Sequence, residues 1–273
     1  MLFLTACKKG KSYIMKKLFV GMAALTMSAV MLTGCGDAKE NTVHSIDDLE
    51  GKTIGVQLGT TGDTLAGDVK DADVEKYNKY SDAVQALKQG KVDAVICDKD
   101  TADVFISKND DIELLDEGFA DEEYAIAMNL DNTALQTEIN GALKELKDDG
   151  TLQKIKDNYD SEDAGKSAYT SPDGVDRGKG KLVMATNAEF PPYESKSGDD
   201  IVGFDVDMMT AVCDKLGYEL QIEDMAFDSI IPSIQSGKAD VGVAGMSVTP
   251  DREKNVLFSD SYTVTHLVVM VRK

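Results

Sequence analysis

The sequence is poor in several things that would point to particular chemistries. It has two histidines, His44 and His266, and four cysteines in 273 residues. No His, Cys and acid recur at metal-ligand spacing, and no nucleophile stands beside a candidate base, so neither metal hydrolysis nor a catalytic triad is indicated. No run of Lys and Arg occurs, and the net charge is −20. Such a surface repels phosphate, which excludes non-specific nucleic-acid binding. No long apolar run exists either: the longest, Leu18–Leu32, has fifteen residues, too few to span a bilayer comfortably. Hydrophobic residues nevertheless make up 42% and charged residues 29%, the composition of an ordinary globule with room for two lobes.

The apolar run belongs to a leader. Met15-Lys16-Lys17 is basic, Leu18–Leu32 is apolar, and Leu32-Thr33-Gly34-Cys35 closes it with small residues and a cysteine. Together they read as a bacterial lipoprotein signal, with Cys35 as the lipidated first residue of the mature chain. Residues 1–34 hold five lysines and no acid, so the remainder is still more acidic. It is repelled by anionic lipid, and only the lipid holds it at the extracellular face of the membrane. Met1–Ile14 reads as an upstream extension, and residues 35–41 as a tether. Cys97 and Cys213 read as buried free thiols.

Behind the leader the chain repeats itself. "AVQALKQGKVDAVICD" from Ala83 and "IIPSIQSGKADVGVAG" from Ile230 are each a helical segment, then Gly-Lys-x-Asp, then an apolar strand. "GKTIGVQLG" from Gly51 and "GKLVMATNA" from Gly180 form a second pair. Strands are expected near 52–57, 74–77, 92–97 and 112–115 in one half, and near 181–186, 218–223, 239–244 and 264–271 in the other. Helices alternate with them near 62–70, 81–89, 99–107, 203–216 and 227–236. This is the pattern of two α/β lobes with mostly parallel sheets. Leu135, Ile139, Ala142, Leu143 and Leu146 recur at helical spacing, Gly150 ends that helix, and a shorter one reaches Tyr159. Residues 160–179 are polar and rich in Gly, Ser and Asp, a linker.

Ligands of open parallel sheets gather where strands end. Leu58–Asp63 is a Gly/Thr loop opening a helix after the first strand, suited to a small anion, though taken by itself it reads first as a plain capped turn. Asp98 ends another strand. Gly245–Arg252 follows a third, with Thr249-Pro250 as a helix start and Arg252 on its first turn, where a guanidinium could hold a carboxylate bidentately. Asn187–Tyr193 follows the fourth, its two prolines aiming Phe190; Phe227 precedes a helix. One acid, one arginine, an N–H-rich loop and two aromatics would satisfy a zwitterion, whose charges must be paired if buried.

These stretches resemble a known family. "ATNAEFPPYES", "GFDVDMM", "DSIIPSIQSGKADV", "GMSVTPDREKNVLFSDSY", "SIDDLEGKTIGVQLGTTGD" and "GKVDAVICD" are similar to the extracellular amino-acid-binding proteins of ABC importers, of the type II periplasmic-binding-protein fold. The resemblance implies a two-lobed α/β protein that is a monomer, uses no cofactor, is not an enzyme, and delivers a polar or basic L-amino acid to an importer permease. It further implies that Arg252 binds the ligand carboxylate with Ser247 and the Thr61 backbone. Asp98 and the Gly245 carbonyl would take the amino group, and Phe190 and Phe227 would flank the side chain. Asn187, Glu189 and Gln57 would meet the side-chain end. Glu189 would favour a basic side chain; Asn187 and Gln57 suit a neutral polar one equally.

The order of the stretches departs from the family's, which runs from "GKLVMATN" to "VVMVRK" and on into "SIDDLEGK". Here that continuation comes first, so the chain resembles a circular permutation. On that reading residues 42–122 form one lobe, 123–128 cross a hinge, 129–159 pack on the other lobe, and 180–273 complete it, with a single covalent crossover remaining. Two other functions share the fold: a periplasmic-type dehydratase acting on arogenate or prephenate, and a ligand-sensing domain.

Overall fold

A computed structural model describes residues 40–159 and 167–273. The leader and Cys35 lie outside the described residues.

In the first half, β1 (Thr53–Gln57), α1 (Thr61–Ala66), β2 (Asp73–Tyr77), α2 (Tyr80–Lys88), β3 (Ala94–Asp98), α3 (Lys99–Ile106), β4 (Ile112–Leu114) and β5 (Ala120–Tyr124) follow one another. Next come β6 (Ala127–Met128), α4 (Thr133–Asp148) and α5 (Thr151–Tyr159). After the linker come β7 (Lys181–Thr186), β8 (Glu189–Phe190), β9 (Glu194–Ser197), β10 (Asp200–Val202), α6 (Phe204–Leu216) and β11 (Glu219–Asp224). The chain finishes with α7 (Ile230–Gln235), β12 (Val241–Gly242), α8 (Pro250–Glu253), β13 (Leu257–Phe258) and β14 (Thr263–Arg272).

Two main sheets result. One has the order β2-β1-β3-β14-β4, with β5 also on β14; the other is β11-β7-β12-β6-β13. In each, three strands are parallel, and the strands added beyond them are antiparallel. Strand β3, Ala-Val-Ile-Cys-Asp, is buried at every position. That is what a parallel strand needs when helices cover both faces. The stripe expected on α4 is the buried one, Leu135, Ile139, Ala142, Leu143 and Leu146. It packs against α6, each large apolar side chain contributing about 1.5–3 kcal/mol.

The Gly-Lys-x-Asp repeat does the same work in both lobes. Gly90 and Gly237 take φ of 68° and 71°, the left-handed turn that ends α2 and α7. The next residue's N–H then closes on the helix, Lys91 onto the Ala86 carbonyl and Lys238 onto that of Ser233. The aspartate clasps the neighbouring parallel strand: Asp93 Oδ2 accepts from Thr53 N–H at 3.0 Å, and Asp240 Oδ2 from Val183 N–H at 2.7 Å.

Strand β14 corrects the expected lobe boundary. The sequence reading puts 264–271 with the lobe of residues 180–273, but the strand lies in the first sheet, antiparallel to β3 from Leu267–Asp98 to Val271–Ala94. The chain therefore passes between the sheets twice among the described residues, once from β5 to β6 and once from β13 to β14. A single crossover is not what the structure has. An apolar run as continuous as Leu267–Val271 fits the centre of either sheet, so its pattern does not say which one it joins. Within Asn187–Tyr193, expected as an extended loop, Glu189–Phe190 form β8, which joins β9 and β10 in a small sheet, β10-β9-β8.

Candidate functional site

The two sheets face each other across a cleft. The space inside it is small, with room for about one water. Gln57, Thr61 and Asp98 line it from the first lobe; Phe190, Phe227, Gly245, Ser247 and Arg252 line it from the second. Thr60 and Ala244 join them. Eight of the ten residues singled out in the sequence thus share one cavity.

The Gly/Thr loop is mostly satisfied from within. Thr60 caps α1, its Oγ1 accepting from Asp63 N–H at 3.2 Å. Asp63 Oδ2 takes the Gly59 N–H at 3.0 Å, and Gln57 O takes that of Thr60 at 3.3 Å. Among the described residues, what remains without an acceptor at the mouth is the N–H of Thr61, the first residue of α1.

Asp98 ends β3 and is 6% exposed. Tyr124 donates its hydroxyl to Asp98 Oδ1. Burial pushes the carboxyl up to about 7, against the pull of the Tyr124 hydroxyl, with Glu122 adding to the rise. A cation brought against it would restore its charge.

Arg252 stands opposite. Thr249 caps α8 and accepts from Arg252 N–H at 3.2 Å, with Pro250 at the first turn. The guanidinium donates to Ser247 O at 2.8 Å and, across the cleft, to Gly59 O at 3.0 Å. Its carbon lies 5.3 Å from the centre of the Phe227 ring, a cation–π distance. Burial lowers its pKa, opposed by Glu122 and Asp98; a guanidinium stays charged regardless.

Gly245 takes φ of 52°, and a Cβ there would lie 2.4 Å from Phe190 Cε1. Only glycine allows the floor to touch that ring. Phe190 stacks on Tyr193 with centroids 5.3 Å apart and meets Tyr80 of the first lobe at 5.8 Å. Ser247 bridges Tyr124, and Val248 N–H donates to Glu123 O at 3.0 Å. The floor loop is thereby tied to the first crossover.

Asn187 and Glu189 are not brought to the wall of the void. Asn187 Oδ1 accepts from Gln57 Nε2 at 2.8 Å, and its Nδ2 donates to Met225 O at 2.8 Å. Glu189 pairs with Lys79 at 2.5 Å. Both contacts cross between lobes, as does the hydrogen bond from Tyr193 to Asp100. His44 and His266 do not line the cleft.

Sequence reasoning missed three residues here. Tyr80 and Tyr124 are fully buried beside the floor, and Glu122 is 5% exposed next to Arg252 and Thr61. Burial raises the Glu122 carboxyl, against Thr61 and Arg252, and its Oε2 has no partner among the described residues. The "EEY" triplet was the one available signal, an aromatic beside acids at a lobe crossing. Chemically, the cleft offers one carboxylate, one guanidinium, a free N–H and aromatic walls, the complement of a small zwitterion.

Residues 182–273 match the model of the bacterial extracellular solute-binding proteins, family 3. The chain is 46% identical over 101 residues to the arginine-binding extracellular protein ArtP of Bacillus subtilis (strain 168), covering 37% of this chain and 40% of that one. It is 38% identical over 94 residues to ABC transporter arginine-binding protein 1 of Escherichia coli (strain K12), covering 34% and 39%. Among solved structures, the arginine-bound form of domain 1 from TmArgBP is 40% identical, with 35% of this chain and 82% of that one covered and a TM-score of 0.30. The chain spans about two fifths of the length of the curated relatives it matches.

Proposed function

We propose that this chain is one of the bacterial extracellular solute-binding proteins of family 3, whose model its residues 182–273 match, and that it captures a polar or basic L-amino acid between its lobes and hands it to an ABC importer. One observation carries the reading: a buried carboxylate, Asp98, and a guanidinium, Arg252, line one small void from opposite lobes. In this reading Arg252, Ser247 and the Thr61 N–H take the ligand carboxylate. Asp98 and the Gly245 carbonyl take the ammonium, and Phe190 and Phe227 flank the side chain. Gln57 meets its far end, with Asn187 and Glu189 acting behind it. A ligand touching both lobes favours closure, because only the closed form makes both sets of contacts.

Cys35 carries the lipid in this reading, and the protein sits as a monomer on the extracellular face of the membrane. The segment order is a circular permutation of the family's. Val43 supports it, sharing a buried cluster with Val269 and Val271, so the stretches that are continuous in relatives remain neighbours here. Two relatives carry arginine-binding names, which makes arginine the first ligand to try.

The test is a thermal-shift screen of the twenty amino acids. A ligand present at about 100 times its dissociation constant stabilises by about 2.7 kcal/mol, a plain shift in Tm. At least one polar or basic amino acid is expected to produce it. A flat screen, repeated by calorimetry at high ligand concentration, would overturn the proposal.

A further inference from the structure

Two carboxyl groups are buried together beneath the cleft floor. Glu194, at the start of β9, and Asp205, in the first turn of α6, are each 0% exposed and lie within hydrogen-bonding reach of one another. The backbone holds them there: Asp205 N–H donates to Tyr193 O at 3.0 Å, and Phe204 N–H to Pro192 O at 3.0 Å.

Their surroundings differ. Asp205 Oδ2 accepts two hydrogen bonds, from Gly245 N–H at 2.9 Å and from the Tyr262 hydroxyl at 2.9 Å. Glu194 receives none: both its oxygens, and Asp205 Oδ1, are without a partner among the described residues. Lys196, two residues along β9, is turned to Asp224 at 2.7 Å. Two adjacent carboxylates in such a place cannot both be ionised, since each buried charge left unpaired costs several kcal/mol. One shared proton resolves it. Asp205, with two donors, is the anion. Glu194, with none, is the acid, and the atom it can reach is the unpartnered Asp205 Oδ1.

We propose that Glu194 keeps its proton at neutral pH and donates it to Asp205 Oδ1, and that this acid pair is a positioning device for Gly245 in the cleft floor and Tyr262 in the second crossover. The charged and titratable groups around the pair agree. Burial raises Glu194 well above the ordinary range, and Asp205 beside it, Asp224 from β11 and Asp98 from β3 all add to the rise. Burial raises Asp205 to about 6, held down by Gly245 N–H, the Tyr262 hydroxyl and Glu194. Tyr193 and Tyr262 are themselves pushed up by burial and by these acids, so both remain neutral donors. Losing the proton would set two anions side by side and pull Asp205 from Gly245. That glycine has no room to follow, with the Phe190 ring against it.

The effect on ligand affinity rests on the amino-acid-binding reading; the proton assignment does not. The deciding measurement is the infrared spectrum of the full chain at neutral pH with and without ¹³C-glutamate labelling. A carboxylic-acid carbonyl band that shifts with the label is expected, lost in Glu194→Gln and kept in Glu122→Gln. The amide of Glu194→Gln also donates to Asp205, so that variant should fold and bind the best amino acid as wild type does. Asp205→Ala, which leaves the Gly245 N–H without its acceptor, should lose affinity about tenfold, the effect of a broken buried hydrogen bond to a charged group.

The pH dependence has a definite sign. The native protein holds this proton to higher pH than the unfolded chain. Stability therefore falls as pH rises from the ordinary glutamate value, 4.5, toward the raised native one. Glu194→Gln should lack about one proton of that slope. Absence of the labelled band in wild type, or an unchanged slope in Glu194→Gln, overturns the proposal. The band without any amino-acid binding would instead overturn only the functional reading.

Discussion

Gln57 donates from Nε2 to Oδ1 of Asn187 at 2.8 Å, joining two buried side chains 130 residues apart on opposite lobes. The same Nε2 donates to Asn78 O at 2.9 Å. The lobes are therefore clasped by protein groups as well as by whatever the cleft holds.

Opening should follow if that clasp is cut. Asn187→Ala removes two hydrogen bonds, one to Met225 O within its own lobe and one to Gln57 across the lobes; losing the second, worth about 1 kcal/mol, weakens ligand affinity about fivefold if closure is required. Small-angle scattering of the free protein should show expansion. Lys79→Ala should do much less, because half-exposed ion pairs contribute about 0–1 kcal/mol. Unchanged scattering and affinity in Asn187→Ala would remove the clasp from the account.

Arg252 is asked to do the most. Arg252→Ala should weaken binding by about a hundredfold or more, since truncating one side of a buried charge pair costs about 2–5 kcal/mol. Arg252→Lys should recover little, because an ammonium cannot make a two-pronged contact. Isothermal calorimetry decides this. Wild-type affinity in Arg252→Ala would refute the carboxylate assignment.

Affinity should depend on pH through Asp98. The free protein's carboxyl titrates at about 7, and a bound ammonium would hold it ionised. Binding is then strongest above that pH and weakens as pH falls through it, by at most about tenfold per unit. Asp98→Asn should bind weakly with this dependence gone. Affinity that rises on acidification would contradict the ammonium site.

Gly245→Ala should destabilise the free protein by about 1–3 kcal/mol, the usual range for overpacking a filled space. The new Cβ would lie 2.4 Å from Phe190 Cε1, on a backbone with φ of 52°. Urea unfolding measures it. Phe190→Leu should recover part of the loss, and no recovery would mean that backbone strain dominates.

Asp93→Ala and Asp240→Ala should each lower stability by about 1.5–3 kcal/mol, the worth of a hydrogen bond to a charged group. The two losses should be similar, because both carboxylates accept from an N–H of the adjacent parallel strand. A large difference between them would show that the repeat is shared in sequence and not in energetics.

Most of the site was legible because strand ends and loop residues lie close together in sequence. Gln57, Thr61, Asp98, Gly245 and Ser247 each sit within a few residues of a strand end, Arg252 sits on the helix that follows, and the cleft collects strand ends. Asn187 and Glu189 also follow a strand, yet their side chains are spent on Gln57 and Lys79. No local pattern encodes a partner more than a hundred residues away. Tyr124 and Glu122 were hidden for the same reason, in a short strand whose neighbours come from β14.

The sequence alone determined the two α/β lobes, the stripe on α4 and the twin Gly-Lys-x-Asp turns. These depend on periodicity, on helix ends and on glycine's access to positive φ, all set within a few residues. Tertiary structure alone decided that β14 joins the first sheet, that the chain crosses twice between lobes, and that Glu194 lies against Asp205. Those outcomes turn on which buried surface a strand covers and on which donors reach a buried oxygen, and both are supplied by residues distant in the chain.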